Sequence, residues 1–427
     1  MNVHDSRAIE EILINSGYRK AESQDDADIL LVNSCTIREK PWHKAISETG
    51  RFRKIKGIKD NILVGLVGCV AQQEGDNIFN LLNGIDFVVS PDNYNSLPEI
   101  IKKSYVSKTG IALVGFGDGS DDDFLGLKSI YPSESSALVT IMKGCNEHCR
   151  YCIVPSVRGP ERNRSIESIE KEVRNLTEQG IKEVTLLGQK VNAYKHEGMI
   201  FSDLLIRLDK IEKLERLRFT SPHPRHMTKD VTDLYGQLRT LCGAIHLPAQ
   251  SGSNNTLKSM GRRYTREEYL DIVERLRKKI PDISISTDLI VGYPGETEED
   301  FKETLSLIKE AGFSSAFSFK FSPRPGTPAF KLDNDVSEDE KSERLSRVHE
   351  IISKQEFEFR QSLKGKNLQV LVDGKGRLDS QLSGRGENFQ IVNFQHSKSL
   401  EEMFGKIVTV EITEVNSNSL LGVAVEK

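Results

Sequence analysis

Apolar residues in the first hundred positions form short continuous runs that predict strands. These runs cover residues 29–33, 62–67 and 85–89. Amphipathic helical patterns lie between and around them, for example over residues 6–16 and 97–103. Strands that are apolar on both faces and alternate with helices are typical of a parallel sheet covered on both sides. The pattern predicts an open parallel α/β sheet domain over residues 1–114 and an acidic, Gly/Ser-rich linker over residues 115–136.

The middle of the chain repeats strand and helix more regularly. Its strand-like runs cover residues 137–141, 184–187, 216–220, 244–247, 283–290 and 316–321. Helical patterns separate most of them, and Thr265 with Glu268 forms a capping box at the start of one helix. Such repetition gives either a doubly wound sheet or a barrel of parallel strands. Six units instead of eight predict an open, partial (β/α)6 barrel over residues 137–335.

The pattern changes again towards the end of the chain. Residues 336–362 predict one long charged helix that connects the barrel to a last, smaller domain. Short strands separated by turns are then predicted over residues 368–372, 389–392, 407–415 and 420–425. Their spacing is typical of a small β-barrel, which we assign to residues 363–427.

Composition narrows the class of protein. The 427 residues carry 59 Lys+Arg and 63 Asp+Glu, so bulk positive charge does not hold the chain on nucleic acid or membrane. Six cysteines are too few for a disulfide scaffold. There is no apolar run long enough to cross a bilayer, and the start lacks the pattern of a secretion signal. We expect a cytoplasmic, monomeric protein of several domains with no membrane partner.

Three cysteines carry the strongest chemical signal. Cys145, Cys149 and Cys152 have the spacing C-x3-C-x2-C and follow the first predicted barrel strand, at the rim where catalytic groups gather. Three thiolates at this spacing can hold three corners of a 4Fe-4S cluster and leave the fourth iron open. The alternatives are a zinc site or buried thiols without a metal. Structural zinc takes four ligands, and His148 is the only local candidate for the fourth.

Two further cysteines occupy matching positions in the N-terminal domain. Cys35 and Cys69 each follow a predicted strand, and strand ends in an open parallel sheet converge on one crevice. Singly, each is best interpreted as a buried thiol, but as a pair they favour a second cluster. Cys242 stands alone and predicts a buried structural thiol.

Ordered motifs along essentially the full length of the chain resemble the methylthiotransferase family of radical S-adenosylmethionine (SAM) enzymes. The motifs are NSCTIRE, GCVAQQEGD, GCNEHCRYCIVPSVRG, LLGQKVNAY, FTSPHP, HLPAQSGS, MGRRYTREEY, DLIVGYPGETEEDF, FSPRPGTPA and SGRGENFQIVNF, the last in a barrel similar to the TRAM domain. LLGQKVNAY at 186–194 and SPHP at 221–224 resemble the branch that acts on isopentenylated adenosine in tRNA. Lys190 departs from that branch, which commonly has Asn there.

The resemblance implies the reaction. A reduced 4Fe-4S cluster on Cys145, Cys149 and Cys152 cleaves SAM to a 5′-deoxyadenosyl radical. A second SAM supplies the methyl of a methylthio group, assembled at an auxiliary 4Fe-4S cluster on Cys35 and Cys69. The methylthio group is added to carbon 2 of N(6)-isopentenyl (dimethylallyl) adenosine beside the anticodon. Sister branches modify threonylcarbamoyl-adenosine or a ribosomal-protein aspartate, and both stay open as alternatives. A non-catalytic Fe-S or zinc RNA-binding protein is the alternative of another class.

Polar residues at other strand ends give weaker hypotheses. Candidates for SAM binding are Gly188, Gln189, Gln250, Ser251 and Asp288, for which ordinary turns and solvated side chains are the alternative. Candidates for RNA contact are Arg324, Arg385, Asn388 and Phe389, with a purely structural C-terminal barrel as the alternative. The expected partners are the anticodon arm of an isopentenylated tRNA, an electron donor and a sulfur-supply protein.

The start of the sequence raises a separate expectation. The family's auxiliary cluster takes three cysteines, and the matching stretch Met1–Ser6 would place the first of them before residue 1. A parallel α/β domain that opens with a helix also lacks the strand from which that helix crosses over. We expect about ten to fifteen residues, a strand and its loop, to precede Met1. In a flavodoxin-like order their absence leaves an interior gap or a slipped pairing. The rival interpretation is a genuine loss, with two thiolates remaining.

Overall fold

The computed structural model of the chain describes residues 1–36, 39–57, 61–107, 109–126, 134–378 and 381–425. Its helices, in chain order, are α1 (Asn2–Asn15), α2 (Glu39–Lys56), α3 (Cys69–Glu74), α4 (Asn77–Leu81), α5 (Leu97–Val106), α6 (Val154–Arg158), α7 (Ile166–Glu178), α8 (Phe201–Asp209), α9 (Lys229–Asp233), α10 (Asn254–Ser259), α11 (Arg266–Lys279), α12 (Glu298–Ala311), α13 (Glu338–Gln361) and α14 (Leu400–Met403). No helix within these ranges is long and apolar enough to span a membrane.

The N-terminal domain is an open parallel sheet. Its strands are β1 (Ile29–Ser34), β2 (Leu63–Gly68), β3 (Phe87–Val89) and β4 (Ile111–Leu113), hydrogen-bonded in that order. β1 pairs directly with β2 over six positions, from Ile29 opposite Leu63 to Ser34 opposite Gly68. The described sheet therefore has no gap between these two strands. β4 was not predicted, because three half-buried residues make too short a pattern.

The central domain is the predicted partial barrel. Its strands are β5 (Ser136–Thr140), β6 (Glu183–Leu187), β7 (Arg216–Phe219), β8 (Ala244–His246), β9 (Ser284–Val291) and β10 (Ser315–Lys320). They form two parallel half-sheets, β7-β6-β5 and β8-β9-β10, joined by a bridge from Leu217 to Leu241. Val184 and Leu186 pack with Ile169 of α7 in the main core. Neighbouring strand residues point the opposite way, so Glu183 and the other odd positions of β6 face the barrel interior.

The C-terminal domain is a closed barrel of five strands. They are β11 (Asn367–Lys375), β12 (Gln381–Gly386), β13 (Ile391–Gln395), β14 (Ile407–Val415) and β15 (Leu420–Ala424), in the order β11-β12-β13-β15-β14. The sequence did not predict β12, whose letters QLSGRG lack an apolar alternation. A Cβ on Gly384 would lie 2.2 Å from the carbonyl oxygen of Leu371, so a bare backbone at this position allows the close strand packing. The charged helix predicted over residues 336–362 is α13.

A buried cluster of charges joins the first two domains. Asp92, just after β3, receives Lys143 Nζ at 3.2 Å and Arg162 Nη2 at 2.6 Å, both from the central domain. The predicted linker also packs here, because Phe124 is buried and Asp121 accepts hydrogen bonds from Ser165. Residues 127–133 of that linker lie outside the described residues. These contacts orient the end of the N-terminal sheet towards the rim of the partial barrel.

Candidate functional site

The three cysteines of the C-x3-C-x2-C motif lie on the loop between β5 and α6, as the sequence predicted. The loop closes on itself: the Cys145 amide donates to the Gly159 carbonyl at 3.1 Å, and the Cys152 amide to the Cys149 carbonyl at 3.1 Å. A Cβ on Gly144 would fall 1.9 Å from the Pro160 carbonyl oxygen, so only glycine permits this turn. All three cysteines are partly exposed. A cavity of about 360 Å³ opens beside Cys145.

The thiols of this loop suit a cluster better than a single ion. Burial raises the pKa of the Cys145 thiol and raises that of Cys152 to about 12, so these thiolates need a positive partner. The charges of Cys149 and Cys145 raise the pKa of Cys152 further, so the three thiols are neighbours. A structural zinc ion takes four ligands, and His148, the local candidate for the fourth, is exposed. Three neighbouring thiols match the protein ligands of a 4Fe-4S cluster with one open iron.

Arg262 brings a positive charge to this loop. Its Nη1 lies 3.4 Å from Cys149 Sγ and 3.5 Å from the Tyr151 hydroxyl. Arg262 belongs to the MGRRYT motif, which follows α10 at the opposite side of the barrel rim. The sequence did not predict this contact because 113 residues separate the two side chains.

Lys190 lies in a second charged group on the same rim. Its Nζ is 3.1 Å from Glu147 Oε1 and 3.1 Å from Glu161 Oε2. His226 Nε2 lies 3.2 Å from the same oxygen of Glu147. Burial alone would raise the pKa of Glu147, but hydrogen bonds from His226 and Lys190 outweigh it and lower that pKa to about 2. Glu147, inside the cysteine motif, therefore stays ionised and holds both LLGQKVNAY and SPHPRH against the loop.

His223 of the SPHP motif is buried beside this group. Its Nδ1 accepts a hydrogen bond from the Arg225 amide at 3.2 Å, which leaves the proton of a neutral ring on Nε2. Burial, reinforced by the charge of Arg262, lowers its pKa to about 2. Nε2 is buried without a hydrogen-bond partner. The ring packs edge-on against Tyr264 at 5.6 Å.

Cys35 and Cys69 meet at the ends of β1 and β2. The Cys69 thiol is buried and packs with Ile153 and Val157, next to the cysteine loop of the central domain. Its pKa is raised well above the usual value, first by a hydrogen bond with Cys35 and then by burial. Arg158 Nε donates to Cys69 Sγ at 3.1 Å, and Arg158 Nη2 donates to Asp5 at 2.7 Å. The structure thus brings the predicted pair together, beside a cation that the sequence did not predict.

The SAM candidates occupy two places on the rim. Gly188 and Gln189 follow β6, where the Gln189 side chain contacts Met1 Sδ at 2.6 Å and its Oε1 is buried without a partner. The Gln250 amide donates to the Asp288 carbonyl at 2.8 Å, and Asp288 Oδ2 lies 3.4 Å from His246 Nε2. Ser251 is buried and bonded to Thr304.

The RNA candidates are divided between surface and interior. Arg324 is half-buried in the loop after β10. Arg385 is exposed, and its Nε is 3.7 Å from Asp373. Asn388 is buried, and its side-chain oxygen accepts from the Gln390 amide at 3.2 Å, so it stabilises the turn. Phe389 is 45% exposed at φ 67°, with one face against the Arg218 guanidinium at 4.2 Å.

The candidate site residues that the sequence did not single out lie in motifs that carry the family resemblance, except His226, which lies two residues after FTSPHP. They are Glu147, Arg158, His223, His226, Arg262 and Tyr264. Membership of a motif could have marked these residues as candidates, but it does not predict which side chain each of them contacts. The side chains that they contact lie on loops after other strands, for example Lys190 and His226 around Glu147. These loops meet only when the strands of the partial barrel assemble.

Three family models match separate parts of the chain. The Radical SAM superfamily matches residues 139–308, and the TRAM domain matches residues 361–425. Residues 1–90 match the family described as uncharacterized protein family UPF0004. The radical SAM match implies a 4Fe-4S cluster and SAM as cofactors, in agreement with the donor set of the cysteine loop.

Relatives cover nearly the whole chain. The tRNA-2-methylthio-N(6)-dimethylallyladenosine synthase of Rickettsia rickettsii (strain Sheila Smith) is 41% identical over 433 residues, 99% of this chain and 96% of that protein. The protein of the same name from Haemophilus influenzae (strain PittEE) is 41% identical over 429 residues, 99% of this chain and 90% of that protein.

A solved structure shares the fold. It is the radical S-adenosylmethionine methyltransferase TsrM from Kitasatospora setae, with a TM-score of 0.55, 14% identity, and coverage of 74% of this chain and 65% of that one. At 14% identity, this structure supports the architecture alone. The family models and the full-length relatives identify the family. The chain is therefore an enzyme that belongs to the methylthiotransferase family of radical SAM enzymes, together with relatives named tRNA-2-methylthio-N(6)-dimethylallyladenosine synthase.

Proposed function

We propose that this enzyme adds a methylthio group to carbon 2 of N(6)-isopentenyl adenosine beside the anticodon of tRNA. The observation that carries the proposal is the meeting of LLGQKVNAY and SPHP at the cysteine loop. Asn192 exchanges two hydrogen bonds with the His223 backbone, and Lys190 and His226 share Glu147. The two motifs that distinguish the isopentenyl branch are thus joined beside the radical-forming loop, and full-length relatives carry that branch's name.

Cys145, Cys149 and Cys152 hold the radical SAM cluster in this proposal. When bound, the cluster and SAM supply the 5′-deoxyadenosyl radical. The chain's own residues bind and orient: Gly188 and Gln189 receive the cosubstrate at the end of β6. Gln250, Ser251 and Asp288 line or support the opposite strand ends. The partnerless Oε1 of Gln189 is the clearest free hydrogen-bonding atom in this set.

Cys35 and Cys69 are proposed as ligands of a second 4Fe-4S cluster. Their thiols are in mutual contact and face α6, which starts two residues after Cys152. A pair at this place suits the delivery of sulfur close to the radical. Iron analysis tests it: the parent should bind more iron than a Cys35→Ala, Cys69→Ala variant, which should keep only about four iron atoms, those of the cluster on the cysteine loop. Equal iron in both proteins would exclude the second cluster.

The tRNA partner is proposed to contact the half-buried Arg324 and the exposed Arg385 and Phe389, with Asn388 shaping their turn. Exposed aromatics beside cations stack bases, at about 1–3 kcal/mol per base. With tRNA as substrate, we place the enzyme in the cytoplasm as a monomer, served by an electron donor and a sulfur-supply protein. Phe389→Ala should weaken tRNA binding, whereas Phe357→Ala, at an exposed aromatic of α13, should not.

Mass spectrometry of tRNA nucleosides from a deletion strain tests the reaction. We expect loss of the methylthio group from N(6)-isopentenyl adenosine and its return when the gene is restored. Loss from threonylcarbamoyl-adenosine, or from a ribosomal-protein aspartate, would move the enzyme to a sister branch. A reconstituted protein that releases no 5′-deoxyadenosine under reductant would instead favour a non-catalytic Fe-S or zinc RNA-binding protein.

A further inference from the structure

Arg262 is held at a fixed distance from one thiol of the cysteine loop. Its main chain is anchored by a 2.8 Å hydrogen bond from its amide to the Leu257 carbonyl. The preceding turn is pinned to the loop itself, because the Arg150 amide donates to the Met260 carbonyl at 2.9 Å. At Gly261 (φ +75°), a Cβ would lie 2.8 Å from the His148 carbonyl oxygen. This close backbone approach brings Arg262 to Cys149.

The guanidinium is also held from its other side. Arg262 Nε donates to the Tyr264 hydroxyl at 3.2 Å, and the guanidinium carbon lies 5.0 Å from the centre of that ring. The Tyr264 hydroxyl in turn donates to the Ala249 carbonyl at 2.6 Å. These contacts fix the plane of the guanidinium and direct Nη1 at Cys149 Sγ, 3.4 Å away. An arginine that merely filled space would not need this orientation.

A cation aimed at a cysteine ligand has a defined effect on an iron–sulfur cluster. One-electron reduction adds one negative charge to the cluster and its thiolates. A hydrogen bond and a positive charge at a ligating sulfur stabilise that added charge, and they therefore raise the reduction potential. The electron comes from the electron-donor protein of the proposed function. The cluster gains one electron, and Arg262 stabilises the negative charge that this electron adds.

We propose that Arg262 is a positioning residue that holds the Cys149 thiolate by a charge-assisted hydrogen bond and raises the reduction potential of the radical SAM cluster. This inference rests on the proposed function, since it needs the cluster that Cys145, Cys149 and Cys152 hold. It goes beyond that function by assigning control of the potential to a residue outside the cysteine motif. Arg263, the exposed neighbour in sequence, is the matched control.

The experiment uses the full chain, reconstituted anaerobically, as the parent and as Arg262→Met, Arg262→Lys and Arg263→Met. Iron content is measured first, and the midpoint potential is then measured by EPR-monitored titration without SAM. We expect the Arg262→Met potential to move to a more negative value. Arg262→Lys should recover part of the shift, because it restores the charge but not the planar donor. Arg263→Met should match the parent.

Three outcomes overturn the inference, and a fourth upholds it. If Arg262→Met has the parent's potential without SAM and only its KM for SAM rises, Arg262 binds the cosubstrate. If Arg262→Met and Arg262→Lys lose iron equally, Arg262 is needed for assembly and not for the potential. If the parent itself binds no iron, the proposed function fails together with the inference. If the potential shifts while 5′-deoxyadenosine release persists, both stand.

Discussion

The side-chain amide of Asn192 exchanges two hydrogen bonds with the backbone of His223: Asn192 Nδ2 donates to the His223 carbonyl at 3.0 Å, and the His223 amide donates to Asn192 Oδ1 at 2.8 Å. Both residues are buried. The two loops that follow β6 and β7 are thereby fixed to each other at the rim of the barrel. A substrate pocket built on these loops has a single geometry.

Asn192→Ala should disturb this geometry without removing a candidate ligand. It leaves the buried His223 amide without a partner and removes one of the two hydrogen bonds to the His223 carbonyl, which still accepts from the His226 amide. The lost hydrogen bonds cost about 1–3 kcal/mol. We expect a lower melting temperature and a higher KM for isopentenylated tRNA, with cluster iron unchanged. Asn418→Ala, at an exposed turn of the C-terminal barrel, is the control and should leave both values unaltered. A normal KM for tRNA in Asn192→Ala would contradict the role of this link.

Lys190 and Glu147 should be energetically coupled. Both side chains are buried and 3.1 Å apart. Removing either leaves the other with one partner fewer, Glu161 for Lys190 or His226 for Glu147. A double-mutant cycle of Lys190→Met and Glu147→Gln, followed by thermal unfolding, should give a coupling of about 1–3 kcal/mol. The single variant Lys190→Asn, which installs the residue common in the branch that acts on isopentenylated adenosine, should also be less stable than the parent. Additive effects in the cycle would show that the pair is not formed.

Cys149→Ala should abolish radical formation. Two remaining thiolates do not retain the site-differentiated cluster, so iron at this site and 5′-deoxyadenosine release should both be lost. Cys242→Ala is the matched control, because that thiol is buried apart from the loop and its pKa is raised to about 12 by burial. It should lose about 1 kcal/mol of stability and no iron. Persistence of SAM cleavage in Cys149→Ala would refute the assignment of this loop.

Asp92 should make stability depend on pH. Burial would raise its pKa, but Lys143 and Arg162 outweigh burial and lower it. The stabilisation is thus fully present above about pH 4, the unfolded value, and is lost as the pH falls through the lowered folded pKa. At pH 7, Asp92→Asn should cost about 3–5 kcal/mol because it removes the buried carboxylate that both cations contact. The difference from the parent should shrink below pH 4. Asp271→Asn, in an exposed ion pair, should show neither effect.

Arg216 and Arg218 should hold the C-terminal barrel against the partial barrel. Arg218 donates to the carbonyls of Glu387 and Gly386 at 2.8 and 3.0 Å, and Arg216 donates to those of Arg385 and Gln369 at 2.9 and 2.6 Å. Replacing both with Gln should expose the connection to limited proteolysis and reduce tRNA thiolation. The control variant Arg174→Gln, on an exposed helix face, should be digested by the protease at the same rate as the parent. If the double variant resists the protease as well as the parent does, Arg216 and Arg218 do not hold the two barrels together.

Much of the fold is set by local sequence pattern. The barrel strands were predicted within about two residues, because parallel strands buried on both faces leave continuous apolar runs. β12 escaped detection since its inward positions include Gly384 and Gly386, where the close approach of backbone replaces side-chain packing. The neighbouring turn shows the same limit: Asn388 and Phe389 are adjacent, yet one is buried and the other is exposed.

The sequence by itself determined the spacing of Cys145, Cys149 and Cys152 and the strand that presents them, because ligand spacing within one loop is local. It also determined the order of the domains and the membership of the family. Only the tertiary structure decided that Arg262 reaches Cys149, that Arg158 reaches Cys69, and that His223 is tied to Asn192. These contacts join loops and helix ends that are far apart in the sequence, and their distances exist only after the strands of the barrel and the N-terminal sheet have assembled.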